Sequence, residues 1–250
     1  MDAPPAPRLR LGFLLWLSGM PGVVLISVTM LPQLLRQVPL PAPVGLVIAA
    51  SIAQSAALVG LAVWAGVSLA PRVGFRAPAF EALATGQPKG PALRPQLLPG
   101  LAAGAASGML LFVVSQFAPA ALIRAQKSFE APILGRVLYG GVTEELLLRW
   151  GFMSALVWLL WRFLQKRQGI PRAALVWAAI VLSSLVFGAG HLPAASALVG
   201  GLSVPIVIYV VGANTVFGIV FGYLFWRWGL EAAMLAHASA HVVNYVASLA

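Results

Sequence analysis

The stretch AALVWAAIVLSSLVFGAGHLPAASALVGGLSVPIVIYVVGANTVFGIVFGYLFW, residues 173–226, runs from Ala173 to Trp226 without a single Lys, Arg, Asp or Glu. His191 is the one side chain in it that titrates near neutral pH. A bilayer core is crossed by about 20 apolar residues of helix, so this stretch is long enough to cross twice. Working outward, 11–35, 37–71 and 95–123 are likewise uncharged and each long enough to span. The whole chain agrees: of its 250 residues 60% are hydrophobic and 9% charged, against roughly 25% charged in a soluble domain. A water-soluble domain is excluded, and the absence of Cys excludes a disulfide scaffold. The net charge of +10 does not point to nucleic acid. Its basic residues fall in short clusters between apolar runs, as loops at a charged lipid surface do, so membrane lipids are the expected neighbours.

These runs predict an all-α, multi-pass transmembrane bundle of about seven to eight spans, one integral membrane domain over 1–250. Spans are expected near 11–31, 44–69, 97–117, 137–161, 173–192, 204–226 and 230–249. Arg8 and Arg10 before the first run resemble the start of a signal peptide, but the run is too long and lacks a small-x-small site, so it is expected as a retained anchor. Residues 70–96, rich in Pro, Gly and Arg, are expected as an extramembrane loop. Residues 118–136 are expected as an interfacial helix, whose re-entry would reverse the orientation of everything after it. Basic residues number 11 on the N-terminal side and 4 on the other, which favours a cytoplasmic N-terminus. Gly100, Gly104 and Gly108, the Gly140–Gly141 pair, and Gly218 with Gly222 predict close helix contacts. Several of Trp150, Trp158, Trp161, Trp226 and Trp228 are expected at headgroup level.

The informative residues are those a bilayer excludes: Glu144, Glu145 and Arg149 in one span, His191 in the next, and His237, His241 and Asn244 in the last. A charged side chain at the bilayer centre costs at least about 2.5–3.5 kcal/mol, so such residues mark a site or an internal ion pair. In an α-helix Glu145 and Arg149 are i,i+4 and share a face. Glu144, five residues before Arg149, lies roughly 140° around the helix. It is left free to act as a general base on water; the alternative is a bracing network of all three charges. His191 ends a helix of small residues, and a lone His there is equally a structural hydrogen-bonder. His237 and His241 share a helix face, with Asn244 three residues further. That spacing allows metal chelation, although the Glu of His-Glu-x-x-His is absent, and it equally allows hydrogen bonds to an oxyanion. Glu231 is expected in the polar first turn of this helix, where the dipole favours acid.

Glu-Glu-x-x-x-Arg at 144–149, Phe-x-x-x-His at 187–191 and His-x-x-x-polar at 237–241, in this order on separate spans, resemble the CPBP family of intramembrane endopeptidases. These are the CAAX-protease and bacteriocin-processing proteins, also called Abi proteins, related to the Ras-converting CAAX prenyl protease. The likeness extends through Gly218-x-x-x-Gly222 and the 229–237 run, and marks 137–245 as the expected catalytic core. The resemblance implies an all-helical membrane fold with a polar cavity, and hydrolysis of a peptide or protein substrate that is prenylated in eukaryotic members. Carried over, Glu144 with His191 would activate water, while His237 and the residue four further on would stabilise the oxyanion. The family usually has Asn or Asp where this chain has His241, so the donor here is His241 or Asn244. Glu145 and Arg149 match as supporting residues. The family has been described both as metalloprotease and as glutamate-dependent. Glu144, His191, His237 and His241 would suffice for tetrahedral zinc, but four protein ligands leave no open position for the attacking water, so the preferred mechanism requires no cofactor. Two readings from other classes are a non-catalytic membrane scaffold or bacteriocin-immunity protein with the same fold, and a small transporter. The compact length without Cys fits a prokaryotic cytoplasmic membrane.

Overall fold

The structure, a computed structural model, describes residues 6–35, 42–126, 129 and 132–249. Among the described residues it is all-helical, without strands. The long apolar runs become α1 (Arg8–Thr29), α2 (Val44–Leu69), α3 (Lys89–Ser115), α4 (Ile133–Phe163), α5 (Ala173–Gly190), α6 (Val204–Trp228) and α7 (Leu230–Ala247). Six of them, α1 to α6 with their short continuations, are long and apolar enough to cross a membrane. Large apolar side chains such as Phe13, Trp64, Phe117 and Ile208 are 60–78% exposed on their outer faces, the surface a lipid solvent requires. The seventh expected span forms as α7 but is not among the six, because Glu231, His237, His241 and Asn244 interrupt its apolar residues. It is an inner helix: Leu230, Ala232, Ala233, Ala236, His237 and Ala240 are all buried.

The glycines expected to allow close contacts do so. Gly100, Gly104 and Gly108 of α3 lie on the backbone of α7, where a Cβ at each would come 3.0, 2.6 and 2.7 Å from the carbonyl oxygens of Ala232, Ala236 and Ala240. This small-residue seam brings two backbones together without side chains between them. On the other side of the bundle Gly218 of α6 seats on Ser184 of α5. Thr143 donates to the carbonyl of Gly19 at 2.8 Å, which docks α1 on α4. Trp150, in the middle of its span, is fully buried, packed on Gly66 and edge-on to Phe225, while Trp228 at the end of α6 is partly exposed.

One loop expectation changes. Residues 70–96 are largely helical: a 3₁₀ turn over Ala70–Val73, a helix Pro78–Thr85, and the first turns of α3. Pro78 and Pro91 fall in first turns, where a missing N–H removes no intrahelical bond, so they start helices instead of forbidding them. Glu231 stands in the first turn of α7 as expected, yet its Oε1 also accepts the N–H groups of Ala79 and Phe80 at 2.8 and 2.9 Å, capping the Pro78–Thr85 helix. Gln96 in turn accepts the N–H of Ala232 at 2.9 Å, so α3 caps α7. Of 118–136, residues Ala120–Gln126 form a helix of 7 residues, about 10 Å long and too short to cross; Lys127, Ser128, Glu130 and Ala131 lie outside the described residues.

The winding of α4 differs from the α-helix assumed in reading its sequence. Arg136–Glu144 and Leu146–Met153 are π-wound, with α-helical turns at both ends of the span. Wide i→i+5 turns are uncommon and occur preferentially at functional sites. Gly140 and Gly141, both buried, sit in the first wide segment against α7.

The α3–α7 seam predicts that Gly104→Val, which forces a side chain onto the Ala236 carbonyl, overpacks the interface by about 1–3 kcal/mol or more. Gly90→Val faces open space and serves as the control. The measurement is the thermal midpoint in detergent; a Gly104→Val midpoint equal to wild type would contradict the seam.

Candidate active site

Four helices converge on one cluster: α4 supplies Glu144, Glu145 and Arg149, the end of α5 supplies His191, α6 supplies Gly218 and Phe221, and α7 supplies His237 and His241. The expected Glu145–Arg149 pair is present. Arg149 Nη1 lies 3.2 Å from Glu145 Oε1 with both side chains essentially without solvent contact. Arg149 Nη2 donates to the Gly218 carbonyl at 3.0 Å, and its guanidinium carbon lies 4.9 Å from the Phe187 ring centroid and 5.7 Å from that of Phe221. The buried cation is thus held by a carboxylate, a backbone oxygen and two aromatic rings, the compensation that its removal from water demands.

The same Glu145 oxygen hydrogen-bonds His237 Nδ1 at 2.8 Å. With Nδ1 committed there, Nε2 is the ring atom left for chemistry, and it faces Glu144 Oε2 at 3.9 Å. His237 is clamped in this orientation. One face stacks on Phe221 at 4.6 Å between centroids, His241 stacks at 4.9 Å, and Phe187 meets it edge-on at 5.8 Å.

His191 occupies the joint where α5 ends and the helix Leu192–Val199 begins, with Pro193 in the first turn of the latter. Its Nδ1 is 2.8 Å from the Phe187 carbonyl. A carbonyl only accepts, so Nδ1 carries the hydrogen and the neutral ring presents the Nε2 lone pair. That Nε2 lies 3.9 Å from Glu144 Oε1. The Glu144 carboxylate therefore faces one imidazole nitrogen from each of its oxygens. Both separations are too long for a direct hydrogen bond and fit a bridging water. The cluster opens to the outside here, where the His191 side chain is 36% exposed, against 16% for Glu144 and 6% for His237.

Each candidate residue has a definite place. Glu144, His191 and His237 are brought together, with Glu145 and Arg149 behind them. His241 stacks on His237, its Nε2 so near the α4 backbone that a Cβ on Gly140 would come within 2.6 Å of it. A side chain at 140 would force this ring to shift. Asn244 lies a turn further along α7, half-buried, and its side chain makes no hydrogen bond to the cluster. Among the described residues no group of three or more His, Asp or Glu side chains is spaced to hold a metal ion. Phe221 and Gly140 are site residues that the sequence reading did not single out for chemistry. Their signal was weak, an aromatic beside Gly222 and one glycine of an apolar pair.

The fold is an all-helical bundle, with six helices long and apolar enough to cross a membrane, that encloses a carboxylate and two imidazoles. Residues 126–243 match the family model described as type II CAAX prenyl endopeptidase, Rce1-like. That segment is just under half of the chain, and its likeness to this family agrees with the three motifs. The matched segment contains Glu144, Glu145, Arg149, His191, His237 and His241, and the family implies a membrane protease. Neither curated proteins nor solved structures give a match.

Arg149→Met leaves the Glu145 carboxylate buried without its cation, a change that costs about 3–5 kcal/mol where one partner of a buried pair is removed. The detergent thermal midpoint is expected to fall sharply, and Glu145→Gln added to Arg149→Met is expected to recover part of it. An unchanged midpoint in the single variant would show that the pair does not brace the site.

Proposed function

We propose that this protein is an intramembrane endopeptidase that hydrolyses a peptide bond of a membrane-associated, CAAX-type prenylated substrate. The observation that carries the reading is the Glu144 carboxylate facing the Nε2 atoms of His191 and His237 at 3.9 Å each. Since His191 Nε2 and Glu144 Oε1 are both acceptors, a water between them gives one hydrogen to each and turns its lone pairs toward an incoming carbonyl carbon. As the carbon–oxygen bond forms, Glu144 takes the proton, and it later returns it to the leaving amine. On the opposite flank His237, held at Nδ1 by Glu145 Oε1, turns Nε2 toward the same space, where an N–H stabilises the oxyanion. His241 or Asn244 supplies the remaining donor. Nothing in this sequence of steps requires a metal.

The family's description supports a prenylated peptide as substrate, and the lipid-facing surfaces around the cluster suit a substrate anchored in the same bilayer. The compact chain and the absence of Cys support a place in a prokaryotic cytoplasmic membrane.

The test is turnover of a quenched farnesylated CAAX peptide by purified protein. Wild type is expected to cleave it with or without chelator. His191→Asn is expected to lower kcat by about 10²–10⁴, the range for loss of a proton-transfer partner, with little change in KM. Failure of well-folded wild type to cleave prenylated or unprenylated peptides would contradict the proposal. Loss of activity with chelator, restored by zinc, would contradict the metal-free route.

A further inference from the structure

Away from the Glu144 cluster, α1 and α2 diverge to leave a groove of about 440 Å³ on the outside of the bundle, within the roughly 300–1,000 Å³ typical of small-molecule sites. Gly12 and Gly60 open its floor. A Cβ on Gly12 would meet Val63 at 3.8 Å and one on Gly60 would meet Trp16 at 3.7 Å, so both positions could carry a side chain and the gap exists because they do not. Phe13 and Trp64, 60% and 67% exposed, stand along its rim. Trp16 has its indole N–H satisfied by the Ala56 carbonyl and offers only an apolar face. The polar side chains at the groove are Arg8 and Ser68, together at one mouth. Among the described residues Arg8 has no carboxylate partner.

The mouth lies at the N-terminal end of α1. The helix that follows His191 contacts Leu31–Leu35 beyond the other end of α1, so the peptidase cluster opens at the opposite membrane face. The sequence count of basic residues, 11 on the N-terminal side against 4, assigns that side to the cytoplasmic leaflet. That leaflet is the one rich in anionic lipid, and basic pockets between transmembrane helices on that side bind anionic headgroups.

We propose that the α1–α2 groove binds one anionic phospholipid of the cytoplasmic leaflet. An acyl chain lies along Gly12 and Gly60 between Phe13, Trp16 and Trp64, and the phosphate sits at Arg8 and Ser68. An uncharged slot alone would accept any acyl chain, and a surface arginine alone would attract any anion. Their juxtaposition selects a molecule with both parts.

The experiment is native mass spectrometry of the purified full chain after exchange into detergent with equal phosphatidylglycerol and phosphatidylcholine, with detergent thermal midpoints in parallel. Wild type is expected to retain one phosphatidylglycerol with a preference of about fivefold, the ratio equivalent to about 1 kcal/mol for one basic residue at a lipid surface. Arg8→Gln is expected to abolish the preference while a lipid is still retained. Gly60→Leu, which fills the slot, is expected to remove the retained lipid of either kind, and Trp64→Ala is expected to weaken retention should the leucine perturb folding. Equal retention of both lipids by wild type would overturn the proposal. So would undiminished retention in both Gly60→Leu and Trp64→Ala, or full replacement of the effect by inorganic phosphate alone. None of these residues belongs to the peptidase cluster, so the outcome is separate from that of the peptide assay.

Discussion

One carboxylate oxygen, Oε1 of Glu145, organises the centre of this molecule. It takes Arg149 from its own helix and His237 from α7, and Arg149 in turn grips the Gly218 carbonyl of α6. Three helices are thus tied at a point from which water is excluded. In that setting charges are tolerated only when paired. The cost of burying Glu145 and Arg149 is offset by each other and by the rings of Phe187 and Phe221, and the result is an imidazole whose free nitrogen is aimed in one direction.

Adjacent glutamates on one helix have different surroundings. Glu145 has no solvent contact and meets Arg149 and His237 through one oxygen, Oε1, whereas Glu144 is partly exposed and faces two imidazole nitrogens across water-sized gaps. The π winding of Arg136–Met153 is the local device that places them. It also places Gly140 flat against His241, so the glycine-lined face of α4 and the polar face of α7 fit without intervening side chains. The α3 glycine seam packs α7 from another side, at Ala232, Ala236 and Ala240.

Much of this was legible in the residues. A bilayer admits so few charges that Glu144, Glu145, Arg149 and the three histidines announced themselves by being where they are, and the i,i+4 spacing of Glu145 and Arg149 correctly paired them. The small-residue contacts of Gly100, Gly104 and Gly108 followed from spacing alone. What the residues concealed has physical causes. Proline in first turns looks the same in sequence as proline in a loop, which hid the start of α3 and the Pro78–Thr85 helix. Residue 231 gave no sign of a partner 152 positions away, because capping of another helix depends on tertiary contact. The winding of α4, which turns on backbone hydrogen-bond register, leaves no clear trace in side-chain pattern.

The division of labour between the two glutamates is the central claim, and it is tested most directly by measuring prenyl-peptide turnover and thermal midpoint side by side for Glu144→Gln and Glu145→Gln. The account predicts that Glu144→Gln abolishes turnover and leaves the midpoint near wild type, while Glu145→Gln lowers the midpoint and turnover together. Turnover retained in Glu144→Gln, or a wild-type midpoint in Glu145→Gln, would contradict it.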